Sequence, residues 1–103
     1  MGNKIPFTKR LKEAREKKGL SQKALGIAAG IDPSSASVRM NQYEKGVHNP
    51  DLSIVEKLAD VLEVPTAYLF TVEDDLAQLI LEFKQLKPAE RKQVLNDIGQ
   101  QEK

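Results

Sequence analysis

Glycine spacing constrains this chain more than any other feature. From Gly19 to Gly46 it reads Gly19-Leu20-Ser21-Gln22, then Leu25-Gly26, then Gly30-Ile31-Asp32-Pro33, and finally Met40-Asn41-Gln42-Tyr43-Glu44-Lys45-Gly46. Two short helices can cross closely only if a very small residue sits where they touch. Gly26, one residue after apolar Leu25, occupies that place. Gly30 then ends the first of the two helices and starts a turn.

Helical punctuation continues on both sides, and no segment reads as a strand. A first helix over about Thr8–Lys18 turns Phe7, Leu11 and Ala14 inward, with Gly19 as its left-handed stop and Leu20 as the apolar contact that follows. Ser21 caps a second helix that runs to Ala29 and buries Leu25, Ala28 and Ala29. Asp32-Pro33 opens a third, because Asp caps well and proline at the first helical position forfeits no needed hydrogen bond. A fourth, from about Asp51 to Glu63, carries Leu52, Val55, Leu58, Ala59 and Leu62 at helical spacing. Val64-Pro65 breaks it, and a short fifth helix, Thr66–Phe70, brings Tyr68, Leu69 and Phe70 to close the core.

Composition removes several classes. The 103 residues include no cysteine and one histidine, which leaves neither disulfides nor thiolate metal sites and argues against zinc chemistry. A reducing, cytoplasmic setting is expected, since no apolar run approaches the roughly 20 residues of a membrane span. No phosphate-loop glycine pattern, thiol or histidine–carboxylate spacing suggests catalysis, so neither an enzyme nor a cofactor is expected. The net charge of +1 hides an asymmetry: residues 1–50 hold ten Lys and Arg against four Asp and Glu, and residues 51–103 hold six against eleven. The basic half contains the glycine-spaced stretch, as suits a chain that turns one face to a polyanion.

From about Ile5 to Phe70 these residues, taken together, resemble the lambda-repressor-like helix-turn-helix regulators, the Cro and Xre family. The resemblance rests on Leu11 and Arg15, Gly19-Leu20-Ser21-Gln22, Leu25-Gly26, Gly30-Ile31, Met40, Tyr43-Glu44-Lys45-Gly46, Asn49-Pro50, and Leu58-Ala59 with Leu62. It implies an all-α, five-helix DNA-binding domain over residues 1–70; the apolar spacing beyond it adds a C-terminal helical hairpin over residues 71–103. The resemblance also implies double-stranded DNA as partner. In such proteins the turn glycine lies about a dozen residues before the glycine that ends the recognition helix, whereas here the interval is longer by roughly four residues. Four residues add just over one helical turn, about 6 Å, and keep the same face toward the core. A recognition helix extended to Pro33–Lys45 is the expectation, with a longer Ser-rich turn as the alternative.

On such a helix Ala36, Met40 and Tyr43 face inward, and the outward arc offers Ser35, Ser37, Val38, Arg39, Asn41 and Gln42 to base edges. Arg can pair bidentately with guanine, Asn or Gln with adenine, and Val38 can touch a thymine methyl. Arg39 and Gln42 are the leading readers. Phosphate contacts are assigned to Ser21, Gln22 and Lys23 at the start of the second helix, whose free N–H groups attract an anion, and to Lys45 and Asn49 beyond the recognition helix. The family resemblance singles out Gln22 among them, and it places an ion pair between Arg15 and Glu44. His48 and the lysines of the first helix read as bystanders.

Beyond an acidic hinge at Thr71–Asp75, Leu76, Leu79, Ile80, Phe83 and Leu86 repeat on one helical face. After Lys87-Pro88 a last helix from about Ala89 carries Val94, Leu95 and Ile98, and Gly99–Lys103 are expected to fray. This apolar set either folds back on its own domain or pairs with a second copy. Pairing is favoured, because two recognition helices related by symmetry read half-sites a helical turn apart. The resulting reading is a homodimeric repressor. The competing reading is an antitoxin whose acidic C-terminal half binds a protein partner while the same helices regulate the operon. RNA is disfavoured, since the few aromatics are placed in the core.

Overall fold

Seven helices, α1 (Pro6–Lys18), α2 (Gln22–Ala28), α3 (Ala36–Lys45), α4 (Leu52–Leu62), α5 (Thr66–Leu69), α6 (Asp74–Gln85) and α7 (Pro88–Gln100), account for most of the computed structural model, which describes residues 6–100. No strand occurs among the described residues. The expected starts and stops of most helices are observed. The Ser21 hydroxyl accepts from the Ala24 N–H at 3.0 Å and the Asp51 carboxylate from the Ile54 N–H at 2.9 Å, so both satisfy an orphan donor of a first turn. At the end of α2, Gly30 at φ +95° lets the Ile31 N–H reach back to the Gly26 carbonyl at 2.9 Å. Ile31 is thereby driven into the core.

The third helix starts later than the extended reading expects. It begins at Ala36, and the additional residues lengthen the turn instead. Asp32-Pro33 fits the first two positions of a type I turn as well as it fits a helix start, and the turn wins: the Ser35 N–H donates to the Asp32 carbonyl at 3.0 Å. The Asp32 carboxylate accepts from the Ser34 N–H at 2.8 Å and the Ser34 hydroxyl at 2.7 Å, so it caps the turn rather than the helix. Those same bonds hold its pKa below the ordinary aspartate range.

The core runs through Phe7, Leu11, Leu25, Ala29, Ile31, Ala36, Met40, Tyr43, Val55, Leu58, Ala59, Leu62, Tyr68 and Leu69. Three expected core residues lie outside it. Ala28 is exposed and Gly26 buried in its place, because the inward face of α2 is centred between Leu25, Gly26 and Ala29. Leu52 is exposed at the first position of α4, ahead of the packed turns. Phe70 is half exposed, although its ring stacks on Phe7 at 5.5 Å. α2 packs chiefly on α3, α1 on α3 and α5, and α4 on α2 and α5. The α2–α3 crossing is the tightest: a Cβ placed on Gly26 would lie 3.0 Å from the Ala36 Cβ, 3.0 Å from the Met40 Cγ and 3.3 Å from the Ala36 carbonyl oxygen.

A polar brace fixes α3 from the other side. The Arg15 guanidinium is bidentate to Glu44, with one arm at 3.0 Å, and also donates to the Leu20 carbonyl at 3.0 Å. The Glu44 side chain is only 4% exposed, so the expected pair is nearly dry. Its hydrogen bonds raise the Arg15 pKa above the usual arginine value and hold the guanidinium charged.

The tail is attached more firmly than an acidic hinge implies. Asp74 and Asp75 belong to the first turn of α6, where negative charge suits the helix dipole. Buried Arg10 donates to the carbonyls of Thr71 at 3.0 Å and Val72 at 3.1 Å, pairs with Asp74 at 3.0 Å, and lies 5.7 Å from the centre of the Tyr68 ring. Arg10 and Lys9 hold the Asp74 pKa below the ordinary aspartate range. Ala77 is buried against the core, with Ile80 and Leu81 packed partly on it. α7 continues helically through Gly99 and Gln100, which were expected to fray; residues 101–103 of that expectation, like Ile5, lie outside the described residues.

These contacts make four stability predictions, each read as a shift in urea or thermal midpoint. Gly26→Ala gains about 1 kcal/mol of helix propensity but meets Ala36, so Gly26→Val, with two further methyls, is the sharper variant and loses about 2–3 kcal/mol by overpacking. Glu44→Ala strands Arg15 in a dry place and costs about 3 kcal/mol. Arg10→Met leaves two carbonyls unpaired and costs about 2 kcal/mol or more. The share that Asp74 adds to the Arg10 joint is present above the ordinary aspartate pKa and is lost as pH falls through the lowered folded value, so Asp74→Asn flattens the acid limb of the stability profile.

Candidate nucleic-acid interface

Burial of Ala36, Met40 and Tyr43 leaves the opposite arc of α3 in solvent. Helical periodicity puts Val38, Asn41, Gln42 and Lys45 near the centre of that arc, with Ser37 and Arg39 on its flanks. Ser37, Val38, Arg39, Asn41 and Lys45 are exposed and Gln42 is half-buried. Ser35 lies just before the helix as its N-terminal boundary, half-buried, with its hydroxyl turned 3.4 Å from the Asp32 carbonyl. It therefore stands at the edge of the reading face, with its hydroxyl turned back into the turn.

Hydrogen bonds divide the candidate residues into two groups. The Gln22 amide, at the start of α2, donates to the Asn41 side-chain oxygen at 3.3 Å and to Glu44 Oε1 at 3.1 Å. Gln22 thus links α2 to α3 and to the Arg15–Glu44 brace. The Asn41 oxygen is thereby engaged, whereas the Gln42 side chain keeps both its oxygen and its nitrogen free of hydrogen bonds among the described residues. Ser21 is occupied by its cap. The side chains of Lys23, Ser37, Arg39, Gln42, Lys45 and Asn49 make no hydrogen bond or ion pair to other described residues; all but Gln42 are exposed. These free donors surround the outward face of α2 and α3.

The charge of this surface follows from which acids are neutralised. Residues 21–50 contain two carboxylates, Asp32 and Glu44. Glu44 is matched by Arg15, and Asp32 is turned into the Asp32–Ser35 turn. Exposed Lys23 of α2 and Arg39 and Lys45 of α3 make no ion pair among the described residues. His48, three residues after Lys45, is exposed, and its side chain makes no hydrogen bond or ion pair among the described residues.

Reasoning from sequence missed three positioning groups. Gln22 as a link to Asn41 has no local signal, because the two are 19 residues apart. The sequence assigns Arg10 no role, and only its burial separates it from the other cations of α1. Arg91 closes the corner between α6 and α7, donating to the carbonyls of Phe83 at 3.1 Å and Lys84 at 2.8 Å with its guanidinium 5.2 Å from the Phe83 ring centre. A basic residue shortly after a proline at a helix start was the available hint.

On the tail, Leu76, Leu79, Leu95 and Ile98 are exposed, while Ile80, Phe83, Leu86 and Val94 are half-buried. Leu79, Ile80 and Phe83 of α6 and Val94, Leu95 and Ile98 of α7 line one open apolar groove of about 530 Å³, together with Pro65, Lys84 and Arg91. No helix among the described residues is long and apolar enough to cross a membrane, and they hold no cluster of metal-ligating side chains.

The crystal structure of the transcriptional regulator BswR superposes with a TM-score of 0.85, at 49% sequence identity over 90% of this chain and 92% of that one. No curated protein matches significantly. The helix-turn-helix family matches residues 11–69, from the middle of α1 to the end of α5 and thus around the whole α2–turn–α3 unit. The chain belongs to the helix-turn-helix family.

Proposed function

We propose that this chain is a sequence-specific DNA-binding transcriptional regulator that represses by occupying an operator as a dimer, with residues 1–70 binding DNA and residues 71–103 holding two copies together. The observation that carries it is the α3 arc: unpaired Arg39, Gln42 and Lys45 stand outward on a helix whose other face is locked into the core by Ala36, Met40 and Tyr43. Membership of the helix-turn-helix family and similarity to a transcriptional regulator support the same reading. No chemistry is required, because occupancy excludes polymerase.

In this reading α3 enters a major groove. Arg39 and Gln42 read guanine and adenine edges, Val38 meets a thymine methyl, and Ser35, Ser37 and Asn41 add contacts along the arc. Ser21, Gln22, Lys23, Lys45 and Asn49 hold phosphates on the two sides and set the register. Both side-chain amide hydrogens of Gln22 are taken by Asn41 and Glu44, so its phosphate contact is made by the main-chain N–H at the start of α2. The exposed apolar residues of the tail pair with a second copy, since a single helix reads only a few base pairs.

Selection of bound duplexes from a random pool at near-physiological salt tests the proposal. Enrichment of an inverted repeat supports a dimeric operator binder. Failure to enrich any sequence overturns self-sufficient recognition and favours a chain that needs a protein partner, as an antitoxin does. On the selected site, Gln42→Ala costs about 1–3 kcal/mol and relaxes preference at one position, whereas Lys45→Ala weakens binding to all sequences and lowers the salt slope by about one. Binding isotherms at several salt concentrations separate the two effects.

A further inference from the structure

The apolar face of the tail carries charge of opposite sign at its two ends. Glu73 and Asp75 stand at the start of α6, and Lys84 and Lys87 at its end; none of the four takes part in an ion pair among the described residues, and all are exposed. Between them lie Leu76 and Leu79, 43% and 46% exposed, and half-buried Phe83. At 1.5 Å per residue the two charged ends are separated by roughly 15 Å along the helix. Such a surface is complementary to itself when turned end for end, and repels itself when laid parallel.

We infer that the occupant of the α6–α7 groove is α6 of a second copy, packed antiparallel about a two-fold axis near Leu79 and Ile80. Glu73 and Asp75 of each copy then face Lys84 and Lys87 of the other. Leu76 lies opposite the other copy's Phe83 and fills the groove between α6 and α7, which is open and apolar and lined also by basic Lys84 and Arg91. The pairing is isologous: each contact occurs twice, so the four charges of one copy are all matched by the other. Charge at the ends specifies direction and register, and the buried leucines supply affinity. The inference rests on the dimeric reading given above and adds the surface and its orientation.

Two charge-reversed chains test it by sedimentation velocity, with circular dichroism confirming helical content. Glu73→Lys with Asp75→Lys makes every facing pair cationic, and Lys84→Glu with Lys87→Glu makes every facing pair anionic. Each variant alone is expected to dissociate at least about tenfold more readily than the parent, because like charges are juxtaposed across the interface. Mixed one to one, the two regain a dimer as stable as the parent's, since every lysine of one now meets a carboxylate of the other. A parent that dimerises while both variants dimerise equally well overturns this interface and leaves the dimeric reading intact. Variants that weaken the dimer but do not rescue each other overturn the antiparallel arrangement. A parent that stays monomeric, both free and on the selected operator, overturns the dimeric reading itself.

Discussion

Everything on the reading side of this molecule depends on how near α3 can come to α2, and that distance is set by the bare backbone of Gly26 against Ala36 and Met40. With no side chain at that point, Ala36 and Met40 are fully buried. Their burial turns the arc from Ser37 to Lys45 outward. The Arg15–Glu44 pair works on the same helix from the side of α1, and through Gln22 it reaches the start of α2. One apolar contact thus sets spacing, while one polar cluster sets angle. Neither substitutes for the other, because close packing does not fix rotation about the contact and a bidentate pair tolerates little of it.

Placing the pair in a nearly dry position has a cost that the arrangement offsets locally. Two buried charges lose hydration, and their attraction compensates only when the remaining donors are also satisfied. Arg15 spends its third bond on the Leu20 carbonyl, and Glu44 accepts from Gln22 in addition to Arg15. No buried side-chain polar atom among the described residues lacks a partner. The same neutralisation removes the central acid from the cationic face, so a structural pair also shapes the field that a polyanion meets.

Most of the helical plan was legible because its signals are local. Ser21 and Asp51 cap, Gly19, Gly30 and Gly46 stop, and the apolar spacing of α1 and α4 points to one face. What was illegible depends on competition or on distance. Asp32-Pro33 is an equally good opening for a helix and for a type I turn, and two Ser34 bonds to one carboxylate decide it. Ala28 and Leu52 have apolar side chains at the margins of their faces, where periodicity alone cannot say which edge of the stripe is covered. Within the site, the choice of α3 as the outward helix was readable from Met40 and Tyr43. The engagement of Asn41 by Gln22, and the burial of Arg10 under the tail, join residues far apart in sequence and leave no trace in either neighbourhood.

Arg10 belongs to the first helix, yet three of its contacts are to the segment that begins the tail. Loosening that segment uncovers a guanidinium and two carbonyls at once, and it also frees Ala77 from the core. The head and the start of the tail are therefore thermodynamically one piece. A nick or a shear at residues 71–74 would be transmitted to the packing of α1 and not absorbed as hinge bending. The same three contacts tie the start of α6 to the helix that, through Arg15, braces α3.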